Sequence, residues 1–190
     1  MKLKTIFLSL LFICTISSFA QDMESLKKEA KKAYKAGATM NFEMIFETTY
    51  PKVFEIIPKE AMKGMFKQMM DNEQLSITLV EVEPNFSFGE IKKIGDKTFC
   101  VVDHDNVMSL KFKTPIEDAE SMASSFKSSM NAKKVLYDKD SGAFTIELRS
   151  TLIAVADEST QNIWKFLNKD KENKLFKMIF DQETKVALGL

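Results

Sequence analysis

At Leu75 the spacing of apolar residues changes from about one in four to one in two, and this change orders the elements of the fold. A period near 3.6 lays apolar side chains along one stripe of a helix, whereas a period of two lays them on one face of a strand. Downstream of the switch Leu75, Ile77 and Leu79 alternate, followed by Phe86 and Phe88, Phe99 and Val101, and then Met108, Leu110 and Phe112. Four short strands are predicted, separated by turns at residues 83–85, 95–97 and 104–106, where Asn, Asp and Gly supply tight-turn conformations. This reads as an antiparallel meander.

Upstream, residues 24–36 form an amphipathic helix with Leu26, Ala30, Ala33 and Tyr34 on one stripe and five lysines around the rest. Residues 40–72 continue with helical spacing (Phe42, Ile45, Phe46, Tyr50, Val53, Ile57) and read as mostly buried. Pro51 and Pro58 interrupt them, predicting a bend near Tyr50 and a fresh start near Pro58. The last helical piece carries Met62, Met65, Phe66, Met69 and Met70 on one face. After the meander, Thr114 and Pro115 read as the cap and first turn of a helix reaching Met130. A strand at 135–137, a turn at 138–142 and a long strand, Ala143–Ala156, follow, the last with one buried and one polar side. A strand at 162–168 and one terminal helix carrying Leu175, Phe176, Ile179, Phe180 and Val186 complete the chain. Helices first, then strands with short turns, predict an α+β fold: an N-terminal helical hairpin packed on one face of a curved antiparallel sheet, with one intervening helix.

Residues 1–20 have the order of a cleavable secretory signal: Lys2 and Lys4, an apolar run from Ile6 to Ile16, then Ser18 and Ala20 before the cut. That run is too short for a bilayer, which needs about 20 residues, and no later stretch reaches that length, so no membrane span is expected. A lipoprotein signal has Leu, two small residues and then Cys; Leu11 precedes Cys14 at that spacing, but bulky Phe12 and Ile13 stand where the small residues belong, so lipidation is not expected. The expected product is a single exported domain, residues 21–190, periplasmic or secreted. Taking the two signal lysines from 27 basic residues leaves 25 against 27 acidic, and Arg149 is the sole arginine. Nucleic-acid binding is not expected from such a charge balance. Only Cys100 remains after cleavage, so stability rests on packing rather than on a disulfide. Sixteen phenylalanines and twelve methionines suit an adaptable apolar interior.

The segment TTYPKVFEIIP at 48–58 and the Trp-containing strand NIWKFL at 162–167 resemble secreted bacterial members of the nuclear-transport-factor-like (SnoaL-like) cone fold, over residues 24–167. A periplasmic lipoprotein-carrier half barrel, in which helices lid a wide curved sheet, is also similar. The helix expected at 116–130 departs from the cone pattern, which places its helices earlier. Both resemblances imply an apolar cavity between sheet and helices. The cone resemblance further implies an isomerase alternative, in which a buried carboxylate moves a proton and a tyrosine or second acid binds the developing oxyanion; Tyr50, Asp103 and Asp105 could play those parts.

The one histidine lies in Val101-Val102-Asp103-His104-Asp105. An imidazole between two carboxylates could act as a general base or as one arm of a metal site. Asp-His-Asp-Asn is also the composition of a polar turn, and the turn is the expected reading. Cys100 and His104 share a strand face, but two ligands do not make a zinc site, and no metal or cofactor is expected. The methionine face could offer thioethers to copper, although such stripes ordinarily pack as core. Arg149, on the polar side of its strand, could pair with Glu147 or hold an anionic ligand. No glycine-rich phosphate loop, nucleophile elbow or metalloprotease helix occurs.

The expected function is non-enzymatic binding of an apolar small molecule, lipid or protein segment, with Met62, Met65, Phe66, Met69 and Arg149 as candidate contacts. The isomerase-like enzyme is one alternative, with Tyr50, Asp103, His104 and Asp105 as its candidates. The other is a homodimeric interaction module that pairs the open sheet face around Arg149.

Overall fold

The computed structural model describes residues 23–190; the expected export segment, with its cleavage point and Cys14, lies outside them. The fold is α+β, with helices preceding an open, seven-stranded antiparallel sheet. Helix α1 (Met23–Ala38) turns Leu26, Ala30 and Tyr34 inward, each four residues from the last. Asn41 caps α2 (Phe42–Thr48) by accepting from the Met44 N–H at 3.1 Å. Both proline interruptions stand where the sequence placed them. Thr49 is extended (φ −76°, ψ 140°), and the Tyr50 N–H donates to the Phe166 carbonyl at 2.9 Å. A single turn, α3 (Val53–Ile56), leads to Pro58, which opens α4 (Lys59–Met70).

The sheet is built on two long strands, β4 (Lys97–Phe112) and β6 (Ala143–Ala156), paired from Thr98↔Ala156 to Lys111↔Ala143. On one side, β1 (Leu75–Val80) pairs with the end of β4, while β2 (Ser87–Phe88) and β3 (Lys92–Ile94) pair with its beginning. On the other side, β5 (Lys134–Asp138) and β7 (Lys165–Asn168) pair with the two halves of β6.

Four local expectations are overturned. Residues 104–106 are not a turn, since β4 runs unbroken through His104. Its Asp and Asn residues have turn propensity, but continuous pairing with β6 satisfies their backbone groups, and tertiary context wins. Helix α5 (Ala119–Ser129) starts later than Thr114, because Asp118 is the residue whose side chain accepts from a first-turn N–H, that of Ser121 at 2.9 Å. The last strand begins at Lys165 rather than 162, because Gln161 and Asn162 take left-handed φ of 55° and 57°. The single terminal helix is two, α6 (Lys174–Ile179) and α7 (Gln182–Ala187): Phe180 is extended and Asp181 caps the second through the Thr184 N–H at 2.7 Å.

The sheet is covered on both faces at one end, where a single covered face was expected. Leu152, Ile153, Ala154, Val155 and Ala156 are all buried, so the last third of β6 has no polar side. Even-numbered residues there meet Leu26 and Ala30 of α1, together with Trp164 and Phe166. Odd-numbered residues meet Tyr50, Val53, Phe176 and Phe180. At the far end Phe144 and Ile146 pack with Leu110 under Met122 and Phe126 of α5. Full burial of each such side chain contributes about 1.5–3 kcal/mol. Helix α4 has no buried residue, so the expectation that 40–72 is mostly buried fails for its last third.

Tyr50 joins the proline break to the end of β6. Its hydroxyl donates to Asp157 Oδ2 at 2.6 Å, and both residues are buried. Asp157 also accepts from the Ser159 hydroxyl at 2.6 Å and the Thr160 N–H at 3.1 Å, capping a one-turn 3-10 segment, Glu158–Thr160. Burial works against the Asp157 charge, but these hydrogen bonds prevail and hold its carboxyl below the usual range. Burial, reinforced by that carboxylate, raises the Tyr50 pKa. Tyr50→Phe should therefore cost about 1–3 kcal/mol by removing one partner of a buried charge. Urea unfolding should show a lower midpoint at unchanged slope; an unmoved midpoint would mean the bond adds nothing net.

Candidate functional site

Because strand side chains alternate, the even-numbered residues of β4 and β6 share one face, and His104 sits directly opposite Ser150 on it. Helix α1 covers this face at one end and α5 at the other. Between them His104, Asn106, Met108, Leu148, Ser150 and Leu152 form the floor of a cleft of about 560 Å³. Residues of α1–α4, β1 and β7 form its walls, and among the residues lining it none is charged. A volume of that size falls within the range of small-molecule sites.

Sequence-predicted Met62, Met65, Phe66 and Met69 all line this cleft, as do Met40 and Met108. Four residues of the α4 stripe thus form a wall of the cleft, with Met62 also packed against the buried cluster around Tyr50 and Phe180, while Met70 is not part of the lining. Met65 is 60% and Met69 49% exposed, and with Val80 they make an apolar rim. Phe66 stacks edge-on with Phe42, and Lys59 lies over Phe54 at 5.0 Å, which together seat α4 against α2 and α3.

His104 is buried at 5% exposure, between Tyr34 and Phe86, with ring centroids 5.6 and 6.0 Å away. Its Nδ1 is 3.3 Å from the Asp105 carbonyl oxygen, an arrangement that places the ring proton on Nδ1. Its Nε2 is buried without a partner. Burial lowers its pKa, and the Asp105 carbonyl and the two flanking carboxylates do not outweigh this. The imidazole is accordingly neutral at pH 7 and its Nε2 is an acceptor. Next to it the Asn106 amide donates to the Ser150 hydroxyl at 2.7 Å.

Asp103 and Asp105 lie on the opposite face. Asp103 accepts from the Thr151 hydroxyl at 2.6 Å. Asp105 accepts from Lys133 at 2.6 Å, from the Asn85 amide at 3.0 Å and from Arg149 at 3.0 Å. Arg149 also donates to the Asn85 carbonyl at 2.7 Å, so its partner is Asp105 rather than Glu147, whose own cation is Lys134 at 3.9 Å. This network pins the β1–β2 connection, where Asn85 takes φ 44°, onto β4. The candidates therefore fall into three places: the α4 residues and His104 in the cleft, Asp103, Asp105 and Arg149 behind the sheet, and Tyr50 in the core. Among the described residues no carboxylate lines the cleft, and the buried acid is Asp157, whose sequence signal was Asp-x-x-Thr directly after the long strand, a capping pattern. Cys100 is buried, and desolvation pushes its thiol up to about 11, so it is inert at neutral pH. Among the described residues no group of three or more His, Cys, Asp or Glu side chains could hold a metal ion, and no helix is long and apolar enough to cross a membrane.

The fold and site define a class in physical terms: an open antiparallel sheet whose helix-covered face holds an uncharged, methionine-rimmed cleft. Neither a protein-family model nor a curated protein matches the sequence.

Lys133, Asn85 and Arg149 hold the Asp105 carboxyl well below its ordinary value of 3.8. A depressed folded-state pKa gives stability that is complete above that value and is lost as pH falls through the folded one. Asp105→Asn should cost about 1 kcal/mol at pH 7, the pair being partly solvated. The gap from the native protein should narrow steadily below pH 3.8. Thermal unfolding of both proteins from pH 7 to pH 2 checks this, and a constant gap would assign the loss to packing.

Proposed function

We propose that this protein is exported and binds an apolar molecule, a lipid or an apolar protein segment, in the cleft between its helical layer and sheet, without catalysing a reaction. The uncharged wall carries this reading. A folded domain ordinarily fills its interior, and exposed apolar patches mark binding surfaces. Here Met65 and Met69 remain exposed beside an open apolar volume. Thioether side chains have three rotatable bonds and repack around varied shapes, which suits a wall that must admit a ligand. The resemblance to cone folds and carrier half barrels supports the reading, because both keep an apolar cavity between helices and sheet. The isomerase alternative would need a proton-transferring carboxylate at the cavity, and Asp103 and Asp105 are engaged on the other face. The homodimer alternative would need Arg149 to reach a second copy, whereas its guanidinium is occupied within the chain.

Titration with N-phenyl-1-naphthylamine, a neutral apolar dye, should show saturable fluorescence enhancement with one site per chain. Displacement by alkyl chains of increasing length should tighten about fourfold per methylene until the cleft is full, as about 0.8 kcal/mol per buried CH₂ requires. The double substitution Met65→Glu and Met69→Glu should weaken dye binding at least tenfold with a change in stability within about 0.5 kcal/mol, both positions being exposed. Unsaturable dye uptake, or unchanged binding in the double variant, would remove the cleft from the proposal. The protein purified from its host should begin at Gln21; a chain starting at Met1 would overturn the export.

A further inference from the structure

Most of the sheet's outer edges are closed or short. β1 is bridged at Ser76 by Asp71, and β7 at Phe166 by Thr49, so the chain itself occupies part of each edge. β2 and β3 are two and three residues long. β5 pairs with β6 along its whole length on one side, and among the described residues no strand or bridge follows on the other. Its residues, Lys134-Val135-Leu136-Tyr137-Asp138, alternate between two environments. Val135 and Tyr137 pack with Phe144, Ile146 and the α5 residues Met122 and Phe126. Lys134, Leu136 and Asp138 face the other way and are exposed, Leu136 at 50%. An open edge offers unpaired N–H and C=O groups to any strand that can align with it, and lysine is the usual guard against such pairing.

We propose that β5 is a self-complementary docking edge, through which two copies of this chain pair antiparallel about a twofold axis at Leu136. Antiparallel partners share a face of the sheet, so a twofold pairing must centre on a residue rather than between two. Centring on Leu136 is the choice that uses all five residues of the strand. It sets Leu136 against its own copy, Val135 against Tyr137 of the second copy, and Lys134 against Asp138 of the second copy, each unlike pair occurring twice by symmetry. A lysine guard repels a like edge, but here each lysine meets a carboxylate, and opposite charges across strands are stabilising. Both charges are available. Lys134 is 54% exposed and keeps only a loose contact with Glu147 at 3.9 Å. The Ser141 hydroxyl and the Asp140 N–H hold the Asp138 carboxyl below its ordinary range, so it is ionised at neutral pH. Pairing would bury the half-exposed Leu136 and join two seven-stranded sheets into one. β5 does not line the cleft and the contact does not use Arg149, so this inference is independent of the binding reading and of a dimer built around that arginine.

The test is sedimentation equilibrium of the protein purified from its host, over about 0.01–1 mM, where the mass should rise from one chain towards two. Lys134→Asp and Asp138→Lys each place like charges across the axis, and each should weaken dimerisation at least tenfold. An equimolar mixture of the two variants should restore it, because every charged pair across the axis of the mixed dimer is again opposite in sign. Leu136→Cys should form a covalent dimer under oxidised glutathione, since Cα atoms paired at the axis lie about 4.5–5.5 Å apart, within reach of a disulfide. The native chain, whose Cys100 is buried, should not. A native protein that stays monomeric throughout the range overturns the proposal and leaves the edge to a strand of another protein. Association beyond two chains overturns it as well, because a twofold contact closes on itself. A dimer equally strong in both charge variants assigns the contact to another surface. If the charge variants fail to fold, Leu136→Cys decides alone, and absence of its covalent dimer overturns the pairing.

Discussion

The antiparallel ladder between β4 and β6 is the interaction on which everything else in this chain depends. Every other strand pairs with one of these two, and none of the outer strands pairs with another. The register Cys100↔Ala154, Val102↔Leu152, His104↔Ser150 and Met108↔Ile146 decides which residues face the helices. A slip of one residue would exchange the faces, burying Asp103, Asp105 and Arg149 and exposing the core. The ion-paired network on the far face and the apolar clusters on the near face therefore enforce the same register from opposite sides. Tyr50 adds a second tie, since its bond to Asp157 at the end of β6 fastens the break in the helical layer to this ladder.

The two long central strands also explain why helices gather at the sheet's ends and leave its middle open. One strand of 16 residues extends about 50 Å at 3.3 Å per residue, and α1 crosses it at one end while the 11-residue α5 sits at the other. The four-residue α3 and the bends at Pro51 and Pro58 then place α4 over the gap without giving it enough apolar surface to fill it. A cleft results from connection lengths as much as from the residues lining it.

Much of this was legible in the sequence. The period change at Leu75, the two proline breaks and the strand Ala143–Ala156 are local signals, and local signals fix element type. The errors lie where a long-range partner overrides a local preference. Asp103-His104-Asp105-Asn106 reads as a turn by composition, yet β6 pairs it throughout. Thr114-Pro115 reads as a helix start, yet Asp118 makes the bond that caps it. The α4 methionines were readable as one face but not as a wall, because spacing shows that residues share a side and not what stands opposite. Nothing local distinguishes His104 in a cleft floor from His104 in a turn; its place follows only from the β4–β6 register.

That register gives the single histidine its chemistry. In a solvated turn its imidazole would titrate near its ordinary value with both nitrogens open to water. On the inner face of β4, burial favours the neutral ring and the Asp105 carbonyl takes the Nδ1 proton, so Nε2 becomes a fixed acceptor. The flanking carboxylates, the obvious catalytic partners in the linear sequence, are carried to the other side by strand alternation alone. The same three residues that read as an acid–base cluster become, once paired with β6, one apolar-embedded acceptor and two structural anions. The cleft is left with hydroxyls, amides and a neutral imidazole set in a mostly apolar lining, the composition of sites that draw affinity from apolar area and orientation from a few placed polar groups.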